Sequence, residues 1–170
     1  MTDSGHIALV DRLRALPTET EWLEFKRNYA EPQALGEYLS ALANAACLAG
    51  QPRGYLMFGI DDKTHKVVST DFDRYVAKAK GNQDLLPWLA VGLRPNKRFE
   101  TRIIDHPGGR VVVFEVGPAG DQPVSFNGTA YVRVGTSKTE LAKHPTRRGG
   151  GRPLNGENRT KQIATVVKWG

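Results

Sequence analysis

Hydrophobic and polar residues alternate along this chain with two different periods, and the period predicts the element. Between Ile7 and Leu16 the apolar side chains Leu9, Val10, Leu13 and Leu16 recur on one face at helical spacing, and Pro17 closes the run. A short amphipathic helix is expected there. From Glu21 to Lys26 the period falls to two, so that Trp22, Glu24 and Lys26 share one side of a strand while Leu23 and Phe25 share the other. That strand has a buried face and a working face. Pro32 suits the first turn of a helix, and Leu35, Tyr38, Leu39, Ala41, Leu42, Ala45, Ala46 and Leu48 make the run up to Gly50 apolar on most sides. This is expected to be the most buried helix.

The continuous apolar run GYLMFGI at 54–60 predicts a strand covered on both faces, and Asp61-Asp62-Lys63-Thr64 a turn into a short strand around Val67 and Val68. Asp73 to Leu93 is expected to be helical with an interruption at Gly81-Asn82, where Asn82 is a candidate cap and Pro87 limits where the second segment starts. The rest reads as β: Arg98 to Asp105, a turn at Pro107-Gly108-Gly109, Arg110 to Val116, Pro123 to Phe126, and Thr129 to Val134. Asn127-Gly128 between the last two is the strongest hairpin signal in the chain. The expected fold is therefore α/β (α+β): one domain, a mixed sheet with packed helices, and a late β-hairpin.

The composition, 39% hydrophobic and 25% charged over 170 residues, suits one such domain with a single core. After Lys143 the periodicity stops, and HPTRRGGGRPLNGENRTKQ is rich in Gly, Pro and Arg. Residues 1–143 are assigned to the domain and 144–170 to a flexible basic tail, although Ile163 to Trp169 regain apolar content. The formal net charge is +6, but Arg147, Arg148, Arg152, Arg159, Lys161 and Lys168 face Glu157 alone, so the tail holds nearly all of the excess. The body is almost neutral. A cationic binding surface on it has to come from clustering in space.

No apolar stretch reaches the length of a membrane span, and the opening MTDSGHIALVDRLRALP carries acids and arginines where a signal peptide would be apolar. A cytoplasmic protein without a membrane partner is expected. Cys47 is the only cysteine, which excludes an internal disulfide and a cysteine-built zinc site, and its Ala-rich surroundings read as a small buried hydrophobe.

Four constellations are candidates for chemistry. Glu19, Glu24 and Lys26 lie within eight residues, with Glu24 and Lys26 on one strand face. In metal-dependent nucleases carboxylates hold Mg²⁺ or Mn²⁺ while an ammonium orients water or steadies phosphate charge; a solvated Glu–Lys pair is the plainer account of the spacing alone. Asp61-Asp62 sits where an apolar strand ends, a common ligand position in α/β sheets and equally an ordinary turn. Ser40 and Asn44 lie one helical turn apart on an apolar helix, and their expected role is to tie that helix to a neighbouring loop, because buried polar groups need partners. Finally, Tyr131-Val132-Arg133-Val134-Gly135-Thr136-Ser137-Lys138 reads as a strand delivering an arginine and then a loop. Its amides, hydroxyls and cations, Arg133, Ser137 and Lys138 among them, suit phosphate contacts that ignore base sequence.

The order of these pieces is itself informative. Glu19 with Trp22-Leu23-Glu24-Phe25-Lys26, then Ser40-Ala41-Leu42-Ala43-Asn44, then Gly54 to Asp62, then Tyr131 to Ser137, together resemble the Schlafen AlbA_2 domain over roughly residues 17–142. The resemblance implies an α/β fold and nucleic-acid binding, to RNA or DNA. From the nuclease branch of the Schlafen proteins it also implies a Mg²⁺- or Mn²⁺-dependent endoribonuclease acting on structured RNA such as tRNA. Three metal-binding carboxylates would then fall on Glu19, Glu24 and Asp62, with Lys26 assisting. Two departures stand out. Between Asn44 and the apolar strand this chain runs Ala45 to Gly54, longer than the small residue and two glycines usual in the family. The RNA-cleaving core also joins two lobes and this chain has one, so a complete groove requires a homodimer. A DNA-binding regulator or defence-associated module without turnover stays open beside the nuclease. A nucleotide-binding domain is disfavoured, since no G-x-x-x-x-G-K-[ST] loop is present. In each binding reading Lys26, Arg133, Ser137 and Lys138 meet the nucleic acid.

Overall fold

A computed structural model of the chain describes residues 2–18, 20–28, 31–143 and Trp169. Helix α1, Asp3–Arg14, starts at Thr2, whose hydroxyl accepts the Gly5 amide, and carries Arg12 and Arg14 in its last turn, where the helix dipole favours cations. It buries Leu9, Val10 and Leu13. Strand β1, Leu23–Lys26, leads to helix α2, Pro32–Leu48, with Pro32 in its first turn. Strand β2, Gly54–Phe58, runs parallel to β1, in the register Glu24 opposite Leu56 and Lys26 opposite Phe58. The short helix α3, Leu85–Gly92, is followed by β3, Leu93–Arg94, β4, Phe99–His106, and β5, Gly109–Val116. Three more strands close the domain: β6, Ser125–Phe126, β7, Thr129–Val134, and β8, Ser137–Glu140.

The strands form two sheets, ordered β1-β2-β5-β4 and β3-β6-β7-β8. Alternation along β5 shows how they are packed. Val111 and Val113 join Leu23, Phe25 and Met57 under α1, while Val112, Phe114 and Val116 join Leu35, Leu39 and Leu42 of α2. Helix α2 is in turn bonded to the second sheet, so it is covered on nearly every side and its run of apolar residues is accounted for. Ser40 and Asn44, both fully buried, supply those bonds. The Ser40 hydroxyl donates to the Val124 carbonyl (2.7 Å) and accepts the Tyr131 amide (3.0 Å). Asn44 donates to the carbonyls of Val124 and Tyr131 and accepts the Val124 amide at 2.7 Å. The expected tie is present, to the strand β7 and to the segment entering β6.

Several boundaries differ from expectation, each for a physical reason. Residues 73–84 form no α-helix, only the short 3-10 turn Lys80–Asn82. Gly81 and Asn82 both take positive φ (69° and 61°), and Tyr75 and Val76 stay exposed while only the small Ala77 and Ala79 reach the core, so a helix nucleus would gain little burial. Asn82 caps nothing; α3 begins after Asp84, with Pro87 tolerated in its first turn. Val67 makes only an isolated bridge to Ile60. Asn127-Gly128 forms the expected hairpin turn, both residues at positive φ. The segment read as a phosphate loop is a second hairpin: Gly135-Thr136 turn between β7 and β8, with Val134 opposite Ser137 and Arg133 opposite Lys138.

Strand β2 ends earlier than expected because of Gly59. Its φ of +93° suits glycine, and a Cβ there would stand 2.5 Å from the Arg110 carbonyl oxygen. The amides of Gly59 and Ile60 both reach the Lys26 carbonyl (2.8 and 3.2 Å), so the ladder bulges at this point. Alternation slips by one residue: Ile60 packs under α1 beside Met57. The turn that follows is bonded to α1, where Arg14 donates to the His65 carbonyl at 2.7 Å.

Candidate nucleic-acid interface

The side chains of β1 divide as the period of two requires. Leu23 and Phe25 lie under α1, and the opposite face carries Glu24, only 3% exposed, and Lys26. Trp22 departs from the expected grouping. It precedes the strand, packs on the α1 side and meets Tyr55 edge to face at 6.3 Å.

A carboxylate as buried as Glu24 needs compensation, and two cations supply it. Lys26 Nζ stands 2.9 Å from Oε1, and an Arg133 guanidinium nitrogen 2.6 Å from Oε2. Arg133 is 2% exposed, and it also donates to the carbonyls of Thr20 (3.0 Å), Leu23 and Thr136. The expectation that Arg133 meets phosphate is therefore corrected. Its donors are turned inward, onto the backbone entering β1 and the turn leaving β7, and the side chain clamps the two sheets together.

Lys26 has a different setting, half-buried at the rim. Burial works against its charge, but the hydrogen bond and attraction of Glu24, with a smaller contribution from Tyr38, outweigh it and raise its pKa above the ordinary lysine value. The ammonium also stands 5.1 Å from the centre of the Tyr38 ring. Lys138 of β8 is also over that ring, 4.7 Å from the centre of Tyr38 and 5.7 Å from that of Tyr131. Lys138 Nζ pairs with Glu37 Oε1 at 3.1 Å. The Tyr131 hydroxyl has a raised pKa, through burial first and then the negative charges of Glu37 and Glu140. Two lysines from different sheets thus converge on Tyr38, Lys138 also meeting Tyr131, and each lysine is held by a glutamate. A hollow beside them is lined by Lys26, Asn28, Glu31, Tyr38, Leu56 and Phe58 among others. Ser137 is exposed at the start of β8, next to this group in the chain.

The metal-binding expectation fits less well. Glu19 lies outside the described residues. Both oxygens of Glu24 face cations, and Asp62 is exposed on the turn beyond the Gly59 bulge. Its neighbour Asp61 does the turn's work: Oδ1 accepts the amides of Lys63 and Thr64 and the Thr64 hydroxyl, while Oδ2 pairs with Arg27 at 2.7 Å. Among the described residues no group of three His, Cys, Asp or Glu side chains is placed to hold a metal ion. Glu24 would have to release a cation before it could ligate one.

Tyr38 and Glu37 were not singled out in the sequence, where Tyr38 reads as one more apolar position of a buried helix. The available signal was Glu37, a charge interrupting that run beside an aromatic residue. The partners themselves are 12 and 100 positions from Tyr38, beyond any local pattern.

The Schlafen AlbA_2 family model matches residues 19–142. No curated protein matches the chain. Among solved structures, the DIP2311 protein of Corynebacterium diphtheriae is similar at 20% identity and a TM-score of 0.43, over 82% of this chain and 27% of that one. The chain thus spans about a quarter of that protein's structure. The N-terminal domain of an ATP-dependent DNA helicase RecG-related protein from Nitrosomonas europaea is similar at 26% identity and a TM-score of 0.48, over 77% of this chain and 89% of that domain. Among the described residues no helix is long and apolar enough to cross a membrane. The family match covers most of the chain and all four motifs in order, and on that ground the chain belongs to the Schlafen AlbA_2 family.

Proposed function

We propose that this domain binds nucleic acid through the face where α2 meets β1 and β8. The observation that carries the reading is the convergence of Lys26 and Lys138 on the Tyr38 ring. Ammonium groups attract phosphates, and partly exposed tyrosine rings offer stacking surface to bases; the combination is sequence-tolerant. Family membership supports the same reading. Lys26, Lys138 and the Ser137 hydroxyl touch the ligand, while Arg133 and Glu24 hold the elements that present them.

A metal-dependent endoribonuclease is the narrower alternative, with Mg²⁺ or Mn²⁺ on Glu19, Glu24 and Asp62. The cation pairing of Glu24 favours binding without turnover. One assay separates the two: fluorescence-labelled tRNA, single-stranded RNA and duplex DNA, each incubated with the protein with and without Mn²⁺. Retarded but intact nucleic acid, lost in Lys26→Gln/Lys138→Gln, supports the binding module. Mn²⁺-dependent cleavage lost in Asp62→Asn would overturn it in favour of the nuclease, and no retardation of any substrate would overturn both. One chain presents one such face, so a two-walled groove calls for a second copy, which light scattering at tens of micromolar would reveal.

A further inference from the structure

We infer that the opposite end of the first sheet carries a phosphate-binding site built from Arg53, Lys97 and Arg98 around Gly117. The site is separate from the Lys26–Lys138 face and does not rest on the function proposed for it. Strand register creates the cluster. Gly54 and Phe99 both stand opposite Val116, from the two neighbouring strands, so the next positions along, Arg53 and Arg98, flank Gly117 on either side. Side chains then close in. A Cβ on Gly117 would lie 3.5 Å from Lys97 Cε and 3.7 Å from an Arg53 guanidinium nitrogen. Gly117 has no side chain to hold these cations apart or to neutralise them.

Like charges gathered this closely disfavour one another unless an anion stands between them. Several cations of the described residues are held by carboxylates: Lys26 by Glu24, Arg27 by Asp61, Lys78 by Asp84, Arg102 by Glu100 and Glu115, Lys138 by Glu37. Among the described residues, none of Arg53, Lys97 and Arg98 has a carboxylate within ion-pair distance. Glu115, the nearest acid along β5, is engaged with Arg102. The Arg53 guanidinium and the Lys97 ammonium beside an open backbone, with Arg98 at the flanking register position, suit a tetrahedral oxyanion, which takes several charge-assisted hydrogen bonds at once. Phosphate is the chemistry in question, either free or as a phosphodiester of a nucleic acid.

The test uses isotope-labelled full-length protein titrated with inorganic phosphate at constant ionic strength in chloride, following amide resonances. A saturable shift of Gly117 and its neighbours is expected. It should vanish in Arg53→Gln/Lys97→Gln, which trims exposed or half-exposed tips, and in Gly117→Asp, which places a carboxylate among the cations. Remaining resonances should keep their positions, showing an intact fold. A short single-stranded oligonucleotide then distinguishes the sources. If it moves the same resonances and phosphate competes with it, the site takes a phosphodiester; if phosphate alone moves them, it takes the free anion. No saturable phosphate response, or one unchanged in the double variant, would overturn the site. An oligonucleotide that binds nowhere would overturn the proposed function and leave the phosphate result standing.

Discussion

Glu24 and Arg133 stand 2.6 Å apart and belong to different sheets, the carboxylate to β1 and the guanidinium to β7. Their contact joins the two layers that sandwich α2. Removing one member of such a buried pair leaves the other charged and uncompensated, at a cost of about 3–5 kcal/mol, whereas an apolar replacement of both recovers much of the loss. Arg133→Gln and Glu24→Leu should each lower the denaturant midpoint strongly, and Glu24→Leu with Arg133→Met should lie above both. Urea unfolding followed by tryptophan fluorescence checks this. An unchanged midpoint for Arg133→Gln would mean the residue is not the clamp described.

Asp61 gives the acid side of the stability profile. Its carboxylate accepts the Thr64 amide and pairs with Arg27, and these contacts, with the Thr64 hydroxyl and the Lys63 amide, hold its pKa well below the ordinary 3.8. A group depressed in the folded state binds fewer protons there than in the unfolded chain, so stability falls as pH falls. The contribution is intact above the unfolded pKa and is lost as pH drops below 3.8 toward the folded value. Asp61→Asn should therefore be less stable than the parent at pH 7 and lose less of its stability between pH ~5 and ~2, over the range in which such groups take up protons. Parallel acid titrations by circular dichroism read the difference.

Asn44 serves three backbone groups at once, all on the segment from Val124 to Tyr131. Asn44→Ala would orphan the Val124 amide and the Tyr131 carbonyl, while the Val124 carbonyl keeps the Ser40 hydroxyl. Each unsatisfied group costs about 1–3 kcal/mol, so a loss of about 2–5 kcal/mol is expected after partial relaxation. Hydrogen exchange offers a local readout: the Val124 amide should exchange far faster in the variant, ahead of amides in β5.

The parts of the fold legible in the sequence are those where burial is deep and periodic. Helix α2 and strands β1, β2, β5 and β7 owe their patterns to a core on one or both faces, and the Asn127-Gly128 turn to a backbone requirement that few residues meet. Tyr75 and Val76 give residues 73–84 a helical pattern in the sequence, yet both stay exposed, the Tyr75 ring lying against its neighbour Arg74 rather than the core. Strand β8 is not legible in the sequence because Ser137 to Glu140 is polar and pairs only along one edge. Arg133 was found as a motif residue but assigned the wrong direction, since an arginine's type says nothing of whether its fork faces solvent or carbonyls. The Lys26–Tyr38–Lys138 group was invisible as a group, because only the packing of α2 against both sheets assembles it.

Glu37 sets the most specific expectation for the binding face. Its carboxylate pairs with Lys138 at 3.1 Å and adds to the negative field on Tyr131. A phosphate approaching Lys138 must displace this carboxylate or endure its repulsion. Lys138→Gln should therefore weaken nucleic-acid binding and reduce the slope of log affinity against log salt by about one phosphate contact. Glu37→Gln should do the opposite: the lysine is released, the repulsion removed, and affinity rises several-fold with a steeper salt dependence. Lys138 keeps its contacts with the Tyr38 and Tyr131 rings in this variant, so the fold should be retained. Anisotropy titrations of labelled single-stranded RNA at ~50 and ~200 mM salt bracket the range where counterion release is most visible. Tighter binding by Glu37→Gln marks Lys138 as a phosphate contact held in reserve by its own neighbour. Weaker binding would show instead that Glu37 orients the lysine, and equal binding that the nucleic acid does not touch this face.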